Sequence, residues 1–207
     1  INDRDGQLIN LTIDYAFNDR WSLKSITSSQ SMDRFLRDDL DSTDANLFGQ
    51  NNYTEESDSF GQELILNYSA DRLDVLGGVM YFEEDLYGEV RVPLTNLCFL
   101  LAPAACGTPV GDFLNGGNYL QDGDVDIEAW GAYVEANYSI SDKWSVIAGL
   151  RYNYEERDGT GSFIFDAISL NVPTNQRESW NDLTPRITLQ YSPNDNMLLY
   201  ATYTEAF

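Results

Sequence analysis

Apolar and polar residues alternate most clearly in the stretch DKWSVIAGLRYNYEER, at positions 142–157. From Trp144 to Tyr154 every second residue is apolar, and most of the residues between them are polar or small. Because successive side chains of a β-strand point to opposite faces, this period of two predicts a strand with one apolar face. The strand would be about fifteen residues long, well beyond the usual length of roughly five or six residues.

The same test predicts further long strands along the chain. In residues 7–17, for example, Ile9, Leu11 and Ile13 share one parity, and polar residues occupy the other. The remaining predicted strands cover 20–36, 59–69, 73–90, 124–140, 179–192 and 197–207. No segment shows a convincing helical period. The chain is therefore predicted to be all-β, with about eight long antiparallel strands.

The connections between these strands are alternately short and long. The short links are 18–19, 70–72, 141–142 and 193–196, and the long ones are 37–57, 91–123 and 159–178. This alternation is typical of an outer-membrane β-barrel, in which short periplasmic turns and long extracellular loops join the strands. The sequence therefore predicts a section of a transmembrane β-barrel in a bacterial outer membrane.

Aromatic residues lie where the strands of such a barrel would meet the two membrane interfaces. Six of them flank short turns: Tyr15, Phe17, Trp21, Tyr138, Trp144 and Tyr191. Tyr152 and Tyr154 follow Trp144 on the same strand, which at ~3.3 Å per residue and a tilt near ~40° places them roughly 20–25 Å away across the membrane. We interpret these eight residues as interface aromatics. The alternative is that the rings fill the core of a soluble β protein.

Composition and motifs exclude several classes of function. The chain has 34 acidic and 12 basic residues, a net charge of −22, which argues against binding nucleic acid. It has no histidine, and no nucleotide-binding or hydrolase motif is present. We therefore predict no catalytic residues, no cofactor and no metal ligands. No run of eighteen apolar residues exists, and the first ten residues do not form a signal peptide.

The direction of the strands also predicts where the ends of the chain lie. If the short turns face the periplasm, the strand before 18–19 runs inward, so residues 1–6 begin on the outer side. The strand after 193–196 runs outward, so Phe207 also ends there. A complete bacterial barrel normally has both ends in the periplasm. We therefore expect residues 1–207 to be a consecutive section of a larger barrel.

Three segments carry a resemblance to a known family. They are FGQELILNYSADRLDVLGGVMYFEEDL, SDKWSVIAGLRYNYEERD and SWNDLTPRITLQYSPNDNMLLYATYTEAF. Over residues 60–90 and 130–207 the sequence resembles the barrel of TonB-dependent outer-membrane receptors. The resemblance implies a barrel of about twenty-two strands that is closed by an N-terminal plug domain. It also implies uptake of a scarce, bulky nutrient, often a ferric siderophore, driven by the TonB complex.

The resemblance defines the expected partners and leaves two alternatives open. The expected partners are outer-membrane lipid, the barrel strands and plug domain outside this chain, the TonB complex through the N-terminal part, and a small-molecule ligand. Neither a plug nor a TonB box is recognisable in residues 1–207, so no ligand contact maps onto a motif here. One alternative is a passive porin or channel. The other is a soluble β carbohydrate-active enzyme that uses paired carboxylates.

Cys98 and Cys106 lie close together in a predicted extracellular loop and are predicted to form a disulfide, since exported proteins meet oxidising conditions. The surrounding segment 97–106 is apolar. It would either contact ligand or close the barrel mouth, or else be buried against neighbouring loops.

The polar strand positions are predicted to face water. The run 37–44 and the series Asp122, Asp124, Asp126 and Glu128 are acidic, but Ile127 and Tyr133 break the EF-hand pattern, so the lumen or rim is the simpler assignment. The lumen candidates are Asp14, Glu63, Glu135, Arg151, Arg186 and Gln190. We expect them to pair with one another or with the plug.

Overall fold

The structure is a computed structural model that describes residues 1–40, 42, 44, 48–96, 98–99 and 102–205. Within these residues eight strands form one sheet in chain order, and each strand pairs antiparallel with the next. The strands are β1 (Asn2–Ala16), β2 (Trp21–Asp39), β3 (Gln50–Ala70), β4 (Leu73–Leu94), β5 (Gly117–Ser141), β6 (Trp144–Phe165), β7 (Leu170–Asn194) and β8 (Met197–Thr204). The predicted all-β antiparallel architecture is therefore confirmed.

The strands extend further on the loop side than the sequence pattern predicted. β3 begins at Gln50 rather than at 59, and the connection from β6 to β7 is only Asp166–Ser169, where a loop over 159–178 was expected. Beyond the apolar zone both faces of a strand are polar, so the alternation that reveals a strand disappears although the hydrogen-bond ladder continues. The predicted terminal residue Phe207 lies outside the described residues.

Side-chain caps explain why the connections at the other end are short. Oδ1 of Asn18 accepts hydrogen bonds from the backbone N–H groups of Arg20 and Trp21, at 2.9 and 3.0 Å. Oδ1 of Asn194 accepts from the backbone N–H of Asn196 at 3.0 Å. Asparagine favours tight turns because its side chain can satisfy nearby backbone donors in this way. These contacts fix the hairpins from β1 to β2 and from β7 to β8.

A short helix that the sequence analysis did not predict lies between β4 and β5. It is α1, Pro109–Leu114, and it begins after Thr108, whose Oγ1 accepts a hydrogen bond from the backbone N–H of Gly111. Threonine before proline is a typical helix start, but six residues are too few to show a helical period. In the described part of the chain, no helix is long and apolar enough to cross a membrane.

Burial is concentrated at the loop end of the sheet. Leu94 and Ala167 are buried there, and Phe48 and Phe165 pack against them. Along the rest of the sheet apolar side chains remain exposed on one face and polar side chains on the other. The sheet therefore has two surfaces that meet different surroundings.

Candidate functional site: the two faces of the sheet

The strand register places the apolar side chains of neighbouring strands side by side. Leu150 on β6 lies opposite Val134 on β5 and Pro185 on β7. Val134 is 48% exposed, Leu150 43% and Ile187 50%, so this outer face is covered by no other part of the described chain. Isolated exposed apolar residues are common, but a continuous apolar face marks contact with protein or lipid.

The aromatic residues near the short turns contact one another on this outer face, both across strands and, for Tyr15 and Phe17, along the chain at the end of β1. Trp144 stacks on Tyr191 with ring centroids 4.4 Å apart, and Tyr15 meets Phe17 edge-on at 5.0 Å. Trp21 contacts Tyr68, a partner that the sequence analysis did not include, at 4.7 Å. Tyr138 lies at the same end of β5 and pairs with Val146 in the ladder. These rings form one row along the short-turn edge of the apolar face.

A second aromatic group borders the other edge of the apolar face. The ring of Trp130 lies 6.0 Å from Tyr152 and 5.8 Å from Tyr154, and Tyr81 lies opposite Trp130 in the ladder. The sequence analysis included the two tyrosines among the interface aromatics but not Trp130. Its partners are on another strand, so only the register reveals the group. The apolar residues of the outer face therefore lie between two aromatic rows.

Beyond the second aromatic group the outer face becomes acidic. Two ladder rows carry like charges on β4, β5 and β6: Glu83, Glu128 and Glu156 in one, and Asp85, Asp126 and Asp158 in the other. The predicted acidic series from Asp122 to Glu128 therefore faces outward at the rim, on the same face as Trp130, which is one of the two places, lumen or rim, that the sequence analysis allowed. Among the described residues, no three histidine, cysteine, aspartate or glutamate side chains are placed so that they could hold a metal ion together.

One basic residue pairs with this acidic rim. The Arg177 guanidinium forms ion pairs with Glu156 and, at 3.7 Å, with Asp158. A hydrogen bond from the Tyr154 hydroxyl and the pairing with Arg177 hold the pKa of Glu156 below its ordinary value. Glu156 consequently stays ionised, which suits a water-exposed rim.

A small polar cluster interrupts the apolar face between β2 and β3. Oγ1 of Thr27 donates a 2.6 Å hydrogen bond to Oε1 of Gln62, and Nε2 of Gln62 donates to Oγ of Ser25 at 3.0 Å. The register places all three on the same face of the sheet as Leu64 and Leu66. Their mutual hydrogen bonds lower the cost of polar side chains on an apolar surface.

The inner face carries polar side chains that pair across strands. Arg186 forms an ion pair with Glu135 at 3.6 Å, and Lys24 with Asp14 at 3.3 Å. The hydroxyl of Ser145 donates to Oε1 of Gln190 at 3.0 Å. The predicted lumen residues therefore share one face. Asp14, Glu135, Arg186 and Gln190 each contact a side chain from a neighbouring strand.

One side-chain hydrogen bond on the inner face spans three strands. The hydroxyl of Tyr133 on β5 donates a 2.7 Å hydrogen bond to Oε1 of Glu63 on β3. The tyrosine ring lies over Gly78 of the intervening strand β4, where an added Cβ would come within 2.5 Å of the ring's Cζ. A side chain at position 78 would therefore displace the tyrosine ring from its present position.

Cys98 and Cys106 are joined by a disulfide in the connection between β4 and β5. The backbone N–H of Cys98 donates to Oδ1 of Asn115 at 3.1 Å, and Cys98 is buried. Phe99 next to it is 59% exposed. In the apolar segment 97–106, the cysteine at 98 is therefore buried and the neighbouring phenylalanine ring is exposed. Leu97, Leu100 and Leu101 lie outside the described residues.

Comparisons with known proteins agree with this two-faced sheet. The family described as "TonB dependent receptor-like, beta-barrel" matches residues 1–207. The ferric-pyoverdine M114 receptor PbuA of Pseudomonas sp. (strain M114) is 26% identical over 117 residues, which are 56% of this chain and 12% of that protein.

Two solved structures have a similar fold. The ferric yersiniabactin uptake receptor FyuA from Yersinia pestis aligns with a TM-score of 0.74 and 13% identity over 97% of this chain and 27% of its own. The ferric-catecholate import receptor Fiu from E. coli K12 aligns with a TM-score of 0.62 and 13% identity over 98% of this chain and 35% of its own. At these identities the likeness concerns the fold alone. The chain spans a third or less of the length of most of these relatives.

Proposed function

Because the chain belongs to the TonB-dependent receptor-like β-barrel family, we propose that it forms part of the wall of an outer-membrane receptor. That receptor takes up a scarce, bulky nutrient of the ferric-siderophore type by TonB-dependent active transport. The bacterial outer membrane is the location of this family and of its structural neighbours.

The observation that carries the proposal is the contrast between the two faces. The outer face is apolar between two aromatic rows, as lipid contact requires, and the inner face carries ion pairs such as Arg186 with Glu135. We propose that Tyr15, Phe17, Trp21, Tyr138, Trp144 and Tyr191 mark the periplasmic interface. Tyr152 and Tyr154 would then mark the extracellular one. An apolar face of this extent disfavours a soluble carbohydrate-active enzyme.

The partners belong to the same proposal. Residues 1–207 would be a partial barrel, completed by further strands that pair with β1 and β8. A plug domain would fill the lumen and connect the receptor to the TonB complex. The ligand is proposed to be a ferric siderophore because the curated relative is described as a ferric-pyoverdine receptor. The apolar loop closed by Cys98 and Cys106 is proposed to lie at the outer mouth.

The test is uptake by cells that produce the complete receptor in a strain without other siderophore receptors. Ferric pyoverdine, ferric citrate and a ferric catecholate, each labelled with radioactive iron, are supplied separately under iron limitation. At least one should accumulate, and accumulation should stop when TonB is deleted. Accumulation that continues without TonB would identify a passive channel instead. A receptor in which the interface aromatics Trp144 and Tyr191 are both replaced by alanine serves as the control that shows how weakened assembly in the membrane affects accumulation.

A further inference from the structure

The inner face contains a cavity of about 290 Å³ beside the middle of β6. Arg151, Asn153 and Glu155 of β6 line it, together with Met80 of β4 and Trp180 of β7. Trp180 is 42% exposed there. The cavity therefore combines one guanidinium with aromatic and thioether groups and with the Glu155 carboxylate, which is paired with Arg157.

Unlike most arginines of the inner wall, Arg151 has no carboxylate partner among the described residues. In the part of the chain that the structure describes, Arg34, Arg157 and Arg186 each have an acidic partner within 4.0 Å, whereas Arg151 and Arg4, at the far end of β1, have none. Its Nε donates to Oδ1 of Asn153 at 2.6 Å, and one Nη donates to the sulfur of Met80 at 3.1 Å. A thioether is a weak acceptor, so most of the guanidinium's donors have no strong partner among the described residues.

Two of the nearby acids are engaged elsewhere, and a third, Asp182 opposite Asn153 in the ladder, forms no ion pair with Arg151. Glu63 accepts the hydrogen bond of Tyr133, and Glu155 forms an ion pair with Arg157 at 2.7 Å. The guanidinium of Arg151 lies over the ring of Tyr133, 5.8 Å from the ring centroid. Its Nε–H group donates a hydrogen bond to Asn153. The plane of the guanidinium is therefore fixed, while its Nη groups remain available in a chain of net charge −22.

We propose that this cavity is a binding site for a carboxylate group, with Arg151 as the residue that recognises it. A carboxylate accepts two parallel hydrogen bonds from a guanidinium and replaces the weak contact with Met80. Met80 and Trp180 provide apolar contact for the organic body that carries the carboxylate. The group belongs either to a free small molecule or to a polypeptide segment inside the lumen, and both present the same chemistry to Arg151.

The polypeptide source is tested by zero-length cross-linking in the complete receptor purified from outer membranes. In the variant Arg151→Lys, a carbodiimide couples the new amine to any carboxylate in contact, and peptide mass spectrometry locates it. Lys24 with Asp14, 3.3 Å apart, is the internal positive control. Arg186→Lys is the matched variant and should couple to Glu135, its present ion-pair partner. Coupling of residue 151 to an acid outside residues 1–207 supports the site and identifies its source as polypeptide.

The small-molecule source is tested on the unmodified receptor, so the result does not depend on the assembly of a variant. Phenylglyoxal modifies accessible arginines, and citrate is the probe carboxylate. Modification of Arg151 should slow at least fivefold in millimolar citrate, while Arg20 at the short turn between β1 and β2 should react at an unchanged rate. The proposal is overturned if citrate gives no protection and the lysine at 151 couples only to acids within residues 1–207, such as Glu63, Glu155 or Asp182, or to nothing.

Discussion

The hydroxyl of Tyr133 reaches Oε1 of Glu63 at 2.7 Å although a complete strand separates the two residues. The contact exists because Gly78 on that strand has no side chain and the tyrosine ring lies directly over its backbone. One inner-face hydrogen bond thus connects β3 to β5 and depends on a glycine in β4. Two residues seventy positions apart and the glycine between them form a single structural unit.

Replacing that glycine should release the contact. Gly78→Ala is expected to lower the free energy of unfolding by about 1–3 kcal/mol, since the new methyl group displaces the tyrosine ring. The measurement is urea unfolding of the complete receptor folded in detergent micelles. Gly88→Ala on the same strand is the control, because an added Cβ there meets nothing within 4 Å. Equal effects of the two substitutions would show that only the loss of glycine matters.

The two faces of the sheet should respond differently to the same charged substitution. Ile187 on the outer face and Ile147 on the inner face lie on the neighbouring strands β7 and β6, one ladder position apart. Ile187→Arg is expected to lower the free energy of unfolding by about 2–4 kcal/mol, because it places a charge in the apolar zone of a membrane. Ile147→Arg should cost much less. Unfolding in lipid vesicles compares them, and a larger loss at Ile147 would reverse the assignment of the faces.

The polar cluster on the outer face should be sensitive to the loss of one member. Thr27→Val leaves Oε1 of Gln62 without its 2.6 Å hydrogen bond, so we expect a loss of about 1–3 kcal/mol. Replacing Ser25, Thr27 and Gln62 together by Ala, Val and Leu removes all three polar side chains, so none is left without a partner. The stability of the triple variant should equal or exceed that of the unmodified protein. Urea midpoints of the three proteins provide the measurement. A triple variant weaker than Thr27→Val would mean that the cluster contacts a polar partner.

The loop between β4 and β5 should depend on its disulfide. In the chain-entropy treatment, a disulfide that closes a ring of this size stabilises the folded state by roughly 2–3 kcal/mol. We expect this effect to be confined to the loop. Cys98→Ser with Cys106→Ser should therefore speed proteolysis in this loop while urea unfolding of the sheet changes little. Mass spectrometry after alkylation, with and without reductant, establishes whether the native thiols are joined. Alkylation of both cysteines without reductant would contradict the prediction.

The sequence shows the strands well because their signal is local. The alternation from Trp144 to Tyr154 identifies β6, and Asn18 identifies a tight turn by its own side chain. The same local signal fails once both faces are in water, and for that reason the outer part of β7 was predicted as loop. It also fails for α1, whose six residues are shorter than two helical turns.

By itself, therefore, the sequence determined the fold class and the apolar face of the clearest strands, such as β6, since each depends on residues close together in the chain. Only the tertiary structure decided which side chains meet across strands, because the register is set by the hydrogen-bond ladder between strands. The row from Glu83 to Glu156, the group around Trp130 and the contact of Tyr133 with Glu63 all arise in this way. The same register left Arg151 on the inner wall without an acidic partner among the described residues.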